Sequence, residues 1–213
     1  CGSGTLLSSS YRAIQDVYVS ESAKADRDAD LVRFHKVLME NVIWGLDVLA
    51  YALHMSVATL ALHNPDSEFD KSHLYTAPLG VFGWPLLGSL ELFNQNQLNV
   101  LKNLVGETNG TQNISMGNVH LEPVEIGQGQ WDLVIMNPPF ARSCVDNLLF
   151  GSIEDKIQRK KLLEKYSGLI SKNNLEGVGH AGLAAMFVYL AMKLVTQGGR
   201  CAFVLPKVAV MGE

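Results

Sequence analysis

The residues Trp131 to Phe140, WDLVIMNPPF, are the most chemically suggestive in the chain. Leu133 to Met136 reads as a short, fully buried strand, and Asn137-Pro138-Pro139-Phe140 brings it to a stop. Proline has no N–H to give to a sheet ladder, so two in succession end the strand and stiffen the backbone beyond it. A residue before proline is biased to extended backbone, which fixes the direction of Asn137. The expected product is a rigid corner at the carboxyl end of a strand, bearing one amide, carbonyls released from the ladder and one flat ring. A planar heterocycle with an exocyclic amino group offers two N–H donors and a stackable face. The Asn137 side-chain oxygen and the Pro138 carbonyl are acceptors for those donors, and Phe140 is a platform for the face. Held this way, the nitrogen lone pair points at an electrophile, and charge developing on attack is stabilised. The competing reading is a structural Asn-Pro-Pro turn. The aromatic at the fourth place and the apolar run in front weigh against it.

Asn137-Pro138-Pro139-Phe140 resembles the catalytic Asn-Pro-Pro-Phe/Tyr motif of S-adenosylmethionine-dependent amino-methyltransferases, above all the N6-adenine DNA methyltransferases. The opening Cys1-Gly2-Ser3-Gly4-Thr5-Leu6-Leu7 is similar to that family's cofactor loop. Gly2 and Gly4 allow close backbone approach and a sharp turn into a helix, whose free N–H groups suit the carboxylate end of the cofactor. A cloning scar also reads Gly-Ser-Gly, but Cys1 before it and an amphipathic run after it argue otherwise. Val42 to Asp47 is an apolar run ending in an acid, as in the second strand of a dinucleotide-type unit, where the acid accepts from ribose hydroxyls. Gly45 and Asp47 match the family's Gly-x-Asp, and the resemblance sets Val48 against the cofactor adenine. Asp47 also reads as a plain helix N-cap. Asn113 to Asn118 is similar to the Gly-Asp/Asn segment that reads the adenine, through Asn118, although Gly-Asn is also an ordinary turn signal. Between Gly182 and Pro206 the order helix, Gly198-Gly199, buried strand Arg200 to Leu205, proline is similar to the segment after the catalytic motif in large adenine methyltransferases, including modification subunits of restriction systems.

The resemblance implies an α/β fold, a Rossmann-like class I methyltransferase sheet with flanking helices, incomplete at both ends. The family's loop follows a central strand and an Asp-Pro that would precede Cys1, and the chain stops one strand into the second half of the sheet. Such a sheet leaves neighbouring strands unpaired, as expected of an excised fragment, a partial gene product or a chain completed by another copy. The implied activity is methyl transfer from S-adenosyl-L-methionine to the N6 amino group of adenine in DNA, in a restriction-modification setting. Cys1, Gly2, Ser3, Gly4, Asp47, Val48 and Asn118 would hold the cofactor, and Asn137, Pro138, Pro139 and Phe140 would do the chemistry. Methyltransferases of ribosomal RNA guanine or of protein glutamine share the corner and stand as alternatives. So does a non-catalytic scaffold that keeps the fold. A nicotinamide-dependent oxidoreductase accounts for the glycines and the acid but not for Asn137 to Phe140.

With 213 residues, one domain covering 1–213 is the expectation. There are 17 Lys+Arg against 21 Asp+Glu, a net charge of −4. Grip on duplex DNA comes mainly from neutralising phosphates, so a recognition domain or specificity subunit has to supply it. Lys156 to Lys165 is a local basic run, more often a solvated helix face than a phosphate contact. Cys1, Cys144 and Cys201 have no paired or metal-ligand spacing, which points to a reduced, cytoplasmic setting. The six histidines are scattered and suggest no metal. No apolar run has the length of a membrane span. Homo- or hetero-oligomeric assembly is left open.

The positioning elements are read as helices over about 5–20 and 31–40, a strand at 42–46 and a helix at 48–63. An irregular stretch comes next over 64–111, a peripheral insertion with a helix near 90–104. Strands are expected near 113–117 and 131–136. A second long connection, 141–180, holds the basic helix and a hinge-like Gly177-Val178-Gly179, and is read as a lid or target-contact loop.

Overall fold

The structure is a computed structural model that describes residues 2–81, 84–101, 114–116, 119–139, 150–151, 153–180 and 182–205. Its first half is a helical layer laid on two parallel strands. Helices α1 (Thr5–Lys24) and α2 (Leu31–Val37) are joined by an acidic break, and Asp30 caps α2 by accepting the Arg33 N–H at 2.9 Å. A π-helical turn, Leu38–Val42, runs into β1 (Trp44–Asp47), and α3 (Ala50–Ala61) comes after it. Tyr11, Leu38, Met39, Leu53, Leu60 and Leu74 form one apolar cluster beneath this layer.

The described part of the stretch 64–111, residues 64–81 and 84–101, contributes to the main sheet. It supplies β2 (His73–Thr76), the hairpin β3 (Leu79–Val81) and β4 (Trp84–Leu87), a 3-10 segment Gly88–Phe93, and β5 (Gln97–Leu101). β2 pairs parallel to β1, with Trp44 opposite His73 and Asp47 opposite Thr76. β5 pairs antiparallel to both β2 and β7 (Val119–Glu125), and β6 (Ile114–Met116) closes the order β1-β2-β5-β7-β6. Where a helix is expected near 90–104, the described residues 90–101 form a 3-10 turn and a strand instead. From Gln97 to Leu101 the burial alternates, with Leu98 and Val100 inward, which is the period of a strand and not of a helix.

β8 (Trp131–Met136) pairs parallel to β9 (Val195–Phe203) in a separate two-stranded sheet. The bounds of β8 are as the sequence suggests, but its burial is not. Only Val134 is buried, and Leu133 is 46 % exposed. Among the described residues β8 has a partner on one side only, and β1 is likewise the outermost strand of its sheet. The two begin side by side, with the Trp44 and Trp131 rings edge to face at 5.3 Å.

Helices α4 (Lys156–Lys172), α5 (Glu176–His180) and α6 (Leu183–Leu194) cover the larger core, to which Leu162, Leu169, Met186 and Leu190 contribute. Gly177-Val178-Gly179 lies within α5 and is no hinge between elements. Gly198 and Gly199 do not end α6; they sit inside β9. The β-branched Val195 and Thr196 turn the chain extended directly after Leu194. The glycines fall where the β8–β9 register slips. Gly198 has φ +83°, and a Cβ on Gly199 would lie 2.9 Å from the Asp132 carbonyl. β9 is half-exposed throughout, not a buried strand. Among the described residues no helix is long and apolar enough to cross a membrane.

Candidate functional site

Two sequence segments 45 residues apart meet at Asp47. The Gly2 N–H donates to Asp47 Oδ2 at 2.8 Å, and the Leu49 N–H donates to Asp47 Oδ1 at 3.0 Å. One carboxylate thereby ties the glycine loop, the carboxyl end of β1 and the entry to α3 together. Burial alone would push this carboxyl up. The hydrogen bonds it accepts, those from Gly2 and Leu49 among them, together with the positive charge of the amino terminus, outweigh that and hold it below the usual carboxylate range. Asp47 is not the N-cap of α3. That place belongs to Leu49, whose own amide Asp47 takes.

The glycines divide the labour. Gly2 has φ +58°, and a Cβ there would meet nothing within 4 Å, so its outer side is open to a ligand. Gly4 has φ +81°, and a Cβ there would lie 2.8 Å from the Ser56 Cα, so the α1 start packs hard against α3. Thr59 adds to the clamp, donating from its hydroxyl to the Ser3 carbonyl at 3.2 Å, while the Ser56 hydroxyl sits 2.9 Å from the Ala52 carbonyl of its own helix and 3.3 Å from the Gly2 carbonyl, which share its one proton. Sequence reasoning missed both. Their signal is two small hydroxyls three apart on one helix face. No side chain caps the N-terminus of α1, and the uncapped start of a helix is suited to an anion.

Val48 is 44 % exposed, and the turn into the 3-10 segment approaches it closely. Gly88 has φ +60°, and a Cβ there would lie 3.3 Å from Val48 Cγ1. Gly88 is thus a second wall beside Val48 that no motif announced. Asn118, the residue expected to read the adenine, lies outside the described residues, as do Cys1 and Phe140.

Asn137 comes directly after the last residue of β8 and is exposed, while Pro138 is buried and Pro139 exposed. The Val204 N–H takes the Met136 carbonyl at 3.0 Å, so the ladder runs to the foot of the corner and stops there. Among the described residues nothing hydrogen-bonds to the Asn137 amide or to the Pro138 carbonyl, and no bond joins Asn137 to Asp47. Gly2, Ser3, Gly4, Asp47 and Val48 are brought together; Asn137 to Pro139 form a second, separate corner.

The basic run lies on α4, where Lys156, Lys160 and Lys161 are exposed and only Arg159 and Lys165 are held against the fold. Arg159 donates to the Ile153 carbonyl, and Lys165 pairs with Glu91. Cys201 is a free thiol whose pKa burial raises, which disfavours the reactive thiolate. No group of three or more metal-ligating side chains is placed to hold an ion among the described residues. No family model, no curated protein and no solved structure matches this chain.

Proposed function

We propose that this chain carries the catalytic site of an S-adenosyl-L-methionine-dependent methyltransferase that modifies the N6 amino group of adenine in DNA, on a Rossmann-like class I sheet, as in restriction-modification systems. The observation that carries the reading is the Gly2 amide on the Asp47 carboxylate. It joins the two segments that the sequence resemblance assigns to one cofactor, and it leaves the outer side of Gly2 open.

The residues fit the cofactor's chemistry. Gly2, Ser3 and the uncapped start of α1 suit its amino-acid part, Asp47 its ribose hydroxyls, and Val48 with Gly88 the edge of its adenine ring. When bound, the cofactor supplies a methyl group on a sulfonium, an electrophile strong enough that no covalent enzyme intermediate is needed. The chain's part is to hold the nucleophile. The Asn137 oxygen and the Pro138 carbonyl accept the two N–H groups of an extruded adenine, and Phe140 stacks on its ring. The exposed amide of Asn137 supports this role. With a net charge of −4, the chain relies on a recognition domain or partner subunit for its hold on DNA.

The test is incubation with methyl-labelled cofactor and separate DNA, RNA and protein pools, then digestion. The expected label is N6-methyladenine in DNA. Asn137→Ala abolishes it while leaving affinity for S-adenosyl-L-homocysteine unchanged. Label in RNA guanine or protein glutamine would reassign the substrate, and full activity of Asn137→Ala would remove the corner from the mechanism.

A further inference from the structure

The β3–β4 hairpin, the 3-10 segment, β5 and α4 line a partly open pocket of about 220 Å3 that, among the described residues, meets the Asp47 corner only at Gly88. Its size bounds its occupant. A cavity of about 150 Å3 holds a benzene ring, and pockets for drug-sized molecules begin near roughly 300 Å3. One fused-ring heterocycle fits within it.

Its lining sets the chemistry. Trp84 stands at the cavity with 52 % of its surface exposed, an indole face with little of the protein covering it. Glu91 and Lys165 form an ion pair at 2.5 Å, so the wall is close to neutral and favours an uncharged ligand. The Leu87 N–H and Lys165 both donate to Glu91 Oε1, the former at 2.9 Å. Among the described residues Oε2 receives no donor, which leaves an acceptor fixed in place by its own twin. Asn99 lines the same space.

We propose that this cavity is a second binding site, for a neutral planar heterocycle of the nucleobase class that bears an exocyclic amino group. The ring stacks on Trp84, the amino group donates to Glu91, and the Asn99 amide meets the ring edge. The site shares a wall with the Asp47 corner at Gly88, whose missing Cβ would touch Val48, but it stands independently of the methyltransferase reading.

The test is titration with free adenine, monitoring the indole N–H signals of Trp44, Trp84 and Trp131 in nitrogen-15 spectra. The expected result is one site that shifts Trp84, persists under saturating S-adenosyl-L-homocysteine, and binds purine about tenfold more weakly for want of one charge-assisted hydrogen bond. Trp84→Ala weakens adenine by about tenfold or more through lost stacking, and Trp84→Phe, which retains a ring, keeps most of the affinity. Absence of binding, shifts confined to Trp44 or Trp131, equal affinity for purine, or displacement by S-adenosyl-L-homocysteine would each overturn the proposal. Adenine moving Trp84 in a chain that ignores S-adenosyl-L-homocysteine would uphold the cavity and refute the methyltransferase reading.

Discussion

Asp47 is held as a carboxylate by backbone donors at a half-buried strand end, and that has a measurable consequence. Its folded pKa lies below the unfolded value of about 3.9. Its stabilising contribution is therefore complete above that value and disappears as pH falls through the lowered one. Asp47→Asn should flatten this acid limb in a stability-against-pH series; an unaltered limb would mean that the carboxylate is not so held. Tyr166 is the opposite case. Its hydroxyl is buried without a hydrogen-bond partner among the described residues, and burial pushes its pKa up to about 12. Removing an unsatisfied buried hydroxyl relieves a desolvation cost, so Tyr166→Phe should stabilise by about 1 kcal/mol in urea unfolding. A comparable loss would reveal a partner. The importance of Asp47 is legible in the sequence because an acid closing an apolar run is a local signal. The Gly2 amide on it is not, because that contact spans 45 residues and depends on α1 docking against α3. Two helices in a sequence do not announce which faces they share.

Elements are legible where one period runs unbroken. β8 appears at Trp131–Met136, as its β-branched and apolar run between a turn and two prolines implies, and α6 stands where its apolar spacing puts it, whereas α4, read as a basic helix within a lid-like connection, packs Leu162, Tyr166 and Leu169 into the core. The stretch 64–111 departs from its sequence reading because its strands are three to five residues long, too short to establish a period against interleaved prolines and glycines. Gly198-Gly199 departs from its reading because a glycine pair after a helix usually ends it, whereas here it accommodates a register slip between parallel strands. The glycine loop separates two physical roles that the sequence shows only as Gly-x-Gly. Gly4→Ala must place a Cβ 2.8 Å from the Ser56 Cα at a left-handed φ, and should cost about 2 kcal/mol or more. Gly2→Ala meets open space and is strained only by its φ of +58°, about 1 kcal/mol. Equal losses in chemical denaturation would contradict the packing of α1 on α3.

Across the whole molecule the fold disfavours the charged form of three histidines, one buried and two half-buried. Burial lowers the pKa of His35, His63 and His73, reinforced at His35 by His63 and at His63 by Arg12. Well above the unfolded pKa of about 6.5, folded and unfolded chains bind the same protons at these sites. As pH falls below that, the unfolded chain gains protons that the fold refuses, and stability declines until the lowered folded values are reached. The melting temperature should drop between about pH 7 and pH 5; a flat profile would contradict the neutral assignment. His35 is the strongest case, with no exposed surface and its Nδ1 bonded to the Tyr11 hydroxyl at 2.9 Å. This helical layer is what sets the glycine loop over Asp47, so the functional reading and the fold stand on the same packing. The most direct measurement is calorimetric titration of the chain with S-adenosyl-L-homocysteine, beside Asp47→Ala. The account predicts one site in the parent chain and a roughly tenfold to hundredfold loss in the variant, the scale of a removed pair of charge-assisted hydrogen bonds. No binding, or equal binding by both proteins, would contradict it.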